Sequence, residues 1–299
     1  MTIRRVGLGG TGKRQALALL LFLVLAGSVA GVGAVRRPYG EVVGRGPVLP
    51  LTSVVEGRAV RFRVAAFNIH SGRAVDGRLS LTRTAAALSG VDLAGLNEVR
   101  GPSLFWAPDQ AAKLGAQLKM AAVFGPSERR WFVTSFGNGL VSRFPILSWR
   151  SRPMRAGRLG SYRAVILAQV KVGQQVIEVI VAHAERGAMR DAQLLELRDL
   201  FASAAPPAIL MGDLNAELSH PELRQMDNLP GAVHALVPDS DVSSKLIDHV
   251  YVKGLQVLAA GVASNQASDH PILWAELEYP ASARAASLPA SGPGRHASF

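Results

Sequence analysis

The chain has 299 residues, 48% of them hydrophobic, with 33 Lys and Arg against 22 Asp and Glu, a formal charge of +11 and no cysteine. That composition excludes a disordered chain and provides for one or two domains around a sizeable core. The absent cysteines exclude disulfides, thiolate metal sites and a cysteine nucleophile, so any metal must be held by oxygen or imidazole.

At the N-terminus, Arg4, Arg5, Lys13 and Arg14 precede an uncharged apolar run from Ala16 to Val35, which Arg36 and Arg37 follow. Residues 1–36 therefore read either as a signal peptide, with Ala16–Leu25 as apolar core and Ser28-Val29-Ala30 as a small-x-small site, or as a retained membrane anchor, which needs roughly 20 apolar residues. Basic residues ahead of the run favour a cytoplasmic N-terminus, so both readings place the main domain outside the cytoplasm, secreted or anchored to the membrane. Residues 37–57, rich in Gly, Pro and Val, read as a linker, 58–280 as the working domain, and 281–299 as a disordered tail.

The net charge is unevenly spread. Residues 1–57 contribute +5 and 281–299 contribute +2, leaving +4 for the domain between them. Within it, the stretch from Arg129 to Gln175 holds nine basic residues and no acid. This suits either a solvated arginine surface or one that faces phosphate or anionic lipid.

Strand-like runs recur along the domain: VRFRVAAFNI, VDLAGLNEV, NGLVSRFPIL, YRAVILAQVKV, QQVIEVIVAHAE, PAILMGDLN, KLIDHVYV and HPILWAELEY. The fourth and fifth meet at Gly173 as a hairpin would. Helical patterns fit Ser80–Ser89 after the Asp76-Gly77-Arg78 turn, Pro108–Leu118, Arg190–Ala202 and His220–Met226. Strands interspersed with helices, with direct strand-to-strand links, predict an α/β or α+β fold with a mixed or antiparallel sheet, and no Gly-rich loop suggests a doubly wound nucleotide-binding fold.

Polar residues gather where these runs end. The first gives Asn68 with His70 just beyond it, the second gives Glu98, Asn138 opens the third, His183 comes near the end of the fifth, Asp213 and Asn215 end the sixth, Asp248 sits in the seventh, and Asp269 with His270 stands at the start of the eighth. Strand ends from distant sequence meet at one edge of a sheet, which is where binding and catalytic groups are commonly held. Acids, amides and histidines suit phosphoester hydrolysis, which needs neutralised phosphoryl charge, an aligned water and a route for its proton. Glu98 and Asn68 suit a hard divalent cation, Asp213 a water, Asn215 the developing charge, and His183 and His270 phosphoryl oxygens or a proton. A carboxylate would hold the His270 ring in one tautomer, with Asp248 preferred over Asp269. Asn138 and Arg163 are candidate phosphate contacts. His70 reads as a loop or rim residue, His220, His234 and His249 as surface or packing residues, and Trp106, Trp131 and Phe132 as rim candidates.

The ordered set AAFNIHSG, GLNEV, GNGLVSRFPI, VAHAE, MGDLNA, IDHVYV and SDHPILWAEL resembles the endonuclease/exonuclease/phosphatase superfamily, most closely its compact bacterial branch of metal-dependent hydrolases, over nearly all of residues 61–278. The resemblance implies a four-layer α/β/β/α sandwich of two mixed, largely antiparallel sheets and a phosphoesterase that uses Mg2+ or Mn2+. It also implies metal-site roles for Asn68, Glu98 and Asp269, catalytic roles for Asp213, Asn215 and His270 with Asp248 in support, and a phosphate contact at His183. Asn97 stands where the superfamily commonly has Gln, and Leu214 where Phe is frequent; neither change removes a catalytic group. The expected substrate is a phosphodiester, with nucleic acid named first, a phospholipid or other head group second, and an inactive anchored binding module third. A monomer is expected.

Overall fold

The computed structural model describes residues 10–34, 37–47, 60–102, 109–129, 135–156, 162–236 and 246–279. Trp106, Trp131, Phe132, Arg130, Arg158 and the tail 281–299 lie outside them. Helix α1 (Gly10–Ala34) carries the apolar N-terminal run, and Leu17, Leu19–Leu21, Phe22, Leu23, Val24 and Leu25 on it are exposed. Among the described residues no helix is long and apolar enough to cross a membrane.

Among the described residues, fourteen strands form two seven-stranded sheets. The first, in spatial order, holds β1 (Arg37–Pro38), β5 (Ala121–Arg129), β6 (Phe136–Ser142), β4 (Leu93–Arg100), β3 (Arg61–Asn68), β14 (Ile272–Glu278) and β13 (Gln256–Ala263). The second holds β11 (Ala232–His234), β12 (Asp248–Lys253), β10 (Ala208–Asp213), β9 (Gln175–His183), β8 (Ala164–Val172), β7 (Ile146–Pro153) and β2 (Val42–Gly44). Each sheet contains one parallel pair, β3 with β4 and β9 with β10, and is otherwise antiparallel.

Period-two alternation builds the layers. Phe62, Val64 and Ala66 of β3 point inward to meet Ile166, Val181, Met211 and Val250 of the other sheet. Ala65 and Phe67 point outward, under α2 (Leu81–Ala87) and α3 (Gln110–Leu118). On the far side, Leu210 and Tyr251 pack beneath α4 (Arg190–Ser203) and α5 (Pro221–Asp227). The result is the expected four-layer α/β/β/α sandwich. β10 is buried along its whole length because both its faces are covered, which is why it reads as a continuous apolar run.

The helices begin where local chemistry permits. Ser80 caps α2 by accepting from the Arg83 amide, Asp109 caps α3 by accepting from Ala112, and His220 Nδ1 accepts from Glu222 at α5, with Pro221 in the first turn. Gly173, at φ +63, turns β8 into β9 as expected.

Three expectations change. NGLVSRFPIL is two strands in opposite sheets, β6 and β7, parted at Arg143–Pro145. Part of the stretch read as linker is built into the sandwich, since β1 pairs with β5 and β2 with β7. The described residues of the basic stretch do not share one face: Arg143 pairs with Asp92 at the far end of the sheets, Arg152 pairs with Glu196 on α4, and Arg163 is turned inward.

Candidate active site

One end of the sandwich collects the polar side chains, and the strand period explains why. Asn68 continues the inward series Val64, Ala66; Asn97 continues Leu93, Gly95; His183 continues Val179, Val181; Asp213 continues Ile209, Met211. Asn138 and Asp248 do the same from strands running the other way, ahead of Leu140 and Val250. All six are buried, forming a polar lid on the core between the sheets. A buried polar group costs about 1–3 kcal/mol unless it is paired, so these residues depend on one another.

Asn97 is the principal tie. Its Nδ2 donates to Asn138 Oδ1 and to Ala182 O, both at 2.9 Å, and its Oδ1 accepts from the Asp213 amide at 2.8 Å. One amide thus joins β4 to β6 in its own sheet and to β9 and β10 in the other. Sequence reasoning noted Asn97 as standing where the superfamily commonly has Gln, without giving it a structural role. Asn138, expected to meet phosphate, donates from Nδ2 to Ala164 O at 2.7 Å, a second bond between the sheets, while its Oδ1 accepts from Asn97.

Backbone strain marks the same place. Among the described residues the non-glycine positions with positive φ are His70, Ser71, Glu98, Lys119 and Asn215, and all but the helix-capping Lys119 stand at this end. Such conformations cost about 1–3 kcal/mol each and persist where surrounding structure holds them. Glu98 lies in a break of the β4–β6 register between Leu96 and Val99, which turns it toward the site, where its charge acts on Asp248 and Arg163.

Asp213 is the hub. Oδ1 accepts from the Asn215 amide at 3.0 Å and Oδ2 from Asn68 Nδ2 at 2.9 Å, while His183 Nε2 and His270 Nε2 lie 3.4 and 3.9 Å from Oδ2. Burial, reinforced by the charge of Asp248, pushes its carboxyl up to about 6. The two histidines are driven apart. Burial and then the Arg163 guanidinium hold His183 well below its ordinary value; Arg163 Nη1 donates to His183 Nδ1 at 2.9 Å, which leaves the proton on Nε2, facing Asp213. Burial also opposes charge on His270, but the 2.7 Å bond from Nδ1 to Asp248 Oδ2, with the charges of Asp248, Asp213 and Asp269, outweighs it and pushes the ring up to about 9. Burial raises Asp248 as well.

Asn215 Oδ1 accepts from Arg186 Nε, its Nδ2 donates to Ala184 O, and its carbonyl accepts from Arg190 Nη1. Arg186 and Arg190 were missed in the sequence because they fall in a loop and a helix start with no motif of their own. His249, a packing residue as expected, donates from Nε2 to Ala216 O at 2.7 Å and so pins the loop after Asn215. His234 lies against it at 3.1 Å. His70 meets Asp269 at 3.3 Å on the half-exposed lip of the site.

Among the described residues, Asp213, Asp248 and His270 bring acid and imidazole ligand atoms within 4.8 Å of one another. His270 is already engaged with Asp248 and carries a proton at neutral pH, which makes it a poor ligand. Asp248 Oδ1, in contrast, is buried without a partner. Oxygen donors of this kind, with Glu98 turned inward beside them, fit a hard divalent cation. A groove of about 450 Å³ on the outer face of the second sheet, beside Trp149 and Leu200, is lined by none of these residues.

Residues 65–270 match the profile of the Endonuclease/Exonuclease/phosphatase family. No curated protein sequence matches the chain. Among solved structures, an endonuclease/exonuclease/phosphatase from Beutenbergia cavernae is 23% identical with a TM-score of 0.60, over 73% of this chain and 72% of that one. A family protein from Leptotrichia buccalis is 16% identical at 0.58, over 73% and 100%. The human Nocturnin catalytic domain with bound sulfate is 17% identical at 0.56, over 74% and 95%.

Proposed function

The chain belongs to the endonuclease/exonuclease/phosphatase family, whose members are hydrolases of phosphoesters, and on that premise we propose that it is a divalent-metal-dependent phosphodiesterase with nucleic acid as its first substrate class. The observation that carries the chemistry is the convergence on Asp213 Oδ2 of a neutral His183 and a charged His270. Environments that push titrating groups apart assign acid and base roles.

Asp213, titrating at about 6, accepts a proton from the attacking water or orients it. His183 donates through Nε2 to a phosphoryl oxygen, the His270 imidazolium offsets charge as it develops, and Asn215 contributes its remaining amide hydrogen. Asp248 holds the His270 ring. Glu98, with Asn68, Asp269 and the spare oxygen of Asp248 nearby, would hold Mg2+ or Mn2+, which when bound neutralises phosphoryl charge.

Arg186 and Arg190, flanking Asn215, support a polyanionic substrate. The exposed leucines of α1 favour a second reading, a phospholipid head group at a membrane surface. The N-terminal segment supports a location outside the cytoplasm, either secreted or anchored; sequencing the N-terminus of the exported protein tests this. The activity test is hydrolysis by the full chain of plasmid DNA, single-stranded RNA, sphingomyelin vesicles, inositol phosphates and bis(p-nitrophenyl) phosphate, with Mg2+ or Mn2+ and with EDTA, beside Asp213→Ala and His270→Ala. Metal-dependent turnover lost in both variants is expected, with plasmid DNA or RNA preferred. A folded, metal-supplied protein that cleaves none of these refutes the reading.

A further inference from the structure

Arg163 was expected to touch substrate phosphate, and in the fold its guanidinium meets a histidine of the site. It sits just before β8, the strand next to β9, and its Nη1 lies 2.9 Å from His183 Nδ1. His183 is buried, and its other ring nitrogen lies 3.4 Å from Asp213 Oδ2. A guanidinium has donors and no acceptor, so Nδ1 must present its lone pair to Arg163 and the ring proton must reside on Nε2. Lysine and arginine differ here: an ammonium provides a point charge, whereas the guanidinium is a rigid fork that stays charged when buried. The Arg163 Nε is itself buried without a hydrogen-bond partner.

We propose that Arg163 is a positioning residue that fixes the Nε2–H tautomer of His183, so that this ring meets substrate only as a hydrogen-bond donor. Asp248 does the converse for His270, where a carboxylate accepts from Nδ1. The two imidazoles beside Asp213 therefore receive opposite instructions, a cationic donor for one and an anionic acceptor for the other. The site cannot exchange their roles, and a reaction that needs one fixed donor and one mobile proton gains a defined direction. With Arg163 removed, His183 is free to place its proton on Nδ1, away from Asp213, and the donor is lost for part of the population.

The inference rests on the hydrolase reading only for its kinetic consequence. Its structural part is tested independently by long-range proton–nitrogen correlation spectra of the full chain labelled with 15N-histidine, in the parent, Arg163→Met and Arg163→Lys, with the His183 signals assigned by their loss in His183→Asn. The parent should show a single Nε2–H tautomer, Arg163→Met a mixed or Nδ1–H pattern, and Arg163→Lys, which keeps one donor, the parent pattern. In the hydrolysis assay, Arg163→Met should lower kcat in proportion to the Nε2–H fraction lost, about twofold for an even mixture and up to about 100- to 1,000-fold where Nδ1–H dominates, with KM little changed, the upper figure being the effect of removing one transition-state donor. Arg163→Lys should recover much of it.

An unchanged His183 tautomer in a folded Arg163→Met protein overturns the proposal, as does a raised KM with unaltered kcat, which would make Arg163 a phosphate contact. If Arg163→Met does not fold, Arg163→Leu and Arg163→Ala carry the spectroscopic test, and a folded variant that keeps the single Nε2–H tautomer with no donor at position 163 overturns it equally. A parent with the predicted tautomer and no activity on any phosphoester would remove the hydrolase reading and leave this one standing.

Discussion

Gly212→Ala tests how the backbone places the site. Gly212 sits at φ +141 in the parallel pair with β9, opposite Ala182, and a Cβ there would lie 1.9 Å from Ala182 O and 3.0 Å from Asn97 Oδ1. The near atom is main chain, so no rotamer change relieves it; β9 and β10 must part, or the hydrogen bond between Asn97 and Asp213 must break. Overpacking costs about 1–3 kcal/mol and the unfavourable φ about 1–3 more, together about 2–6 kcal/mol. Against a total stability of about 5–15 kcal/mol this is a large fraction. A domain of this size loses about 2–4 °C of Tm per kcal/mol, so a thermal melt should fall by about 4–24 °C. Asp213 and His183 are the next pair in the same register, and misplacing them by about 1 Å should cost on the order of 100-fold in kcat. Gly77→Ala is the control: φ is +78 but nothing lies within 4 Å, so only the left-handed cost of about 1–2 kcal/mol applies, with activity intact. A Gly212→Ala protein that melts within about 2 °C of the parent and turns over normally would refute the argument.

Replacing Asn97 with Leu strands the Asp213 amide, Ala182 O and Asn138 Oδ1, at about 1–3 kcal/mol each, so urea unfolding should show a loss of at least about 3 kcal/mol. A loss under about 1 kcal/mol would make the tie between the sheets dispensable. His270 titrates at about 9 in the fold against 6.5 unperturbed, so its contribution to stability is complete below pH 6.5 and is lost as pH rises through about 9. The Tm advantage of the parent over Asp248→Asn, measured in EDTA, should shrink across that window; a difference independent of pH argues against the dyad. Asp213 titrates at about 6 against 3.8, so its contribution is present below pH 3.8 and lost as pH rises through about 6, leaving a buried charge. Mg2+ or Mn2+ should therefore raise the Tm of EDTA-treated protein more near pH 8 than near pH 5, and equal shifts would count against a cation bound beside these acids. Glu98→Gln should weaken Mn2+ binding at least 10-fold by calorimetry while melting near the parent; unaltered binding would remove Glu98 from the metal site.

Much of this molecule was legible in one dimension. Strand alternation, helix caps and the turn at Gly173 depend on residues a few positions apart, so the elements and the polar residues ending them could be read from local pattern. The preference for Asp248 beside His270 agrees with the 2.7 Å contact. β13 escaped notice because an edge strand rich in Ala and Gly has no buried face to impose alternation, and β5 because Gly125 and Pro126 interrupt it. The division of NGLVSRFPIL between two sheets, the pairing of residues 37–44 with β5 and β7, and the scattering of the arginines over both ends depend on which strands become neighbours. So do the roles of Asn97, Asn138 and Arg163, whose partners lie 85, 26 and 20 residues away along the chain. The sequence by itself determined which chemistry stands at the strand ends, because side-chain type and period are local properties. Only the tertiary structure decided which histidine is held neutral and which charged, because burial and partner identity arise when distant strands pack.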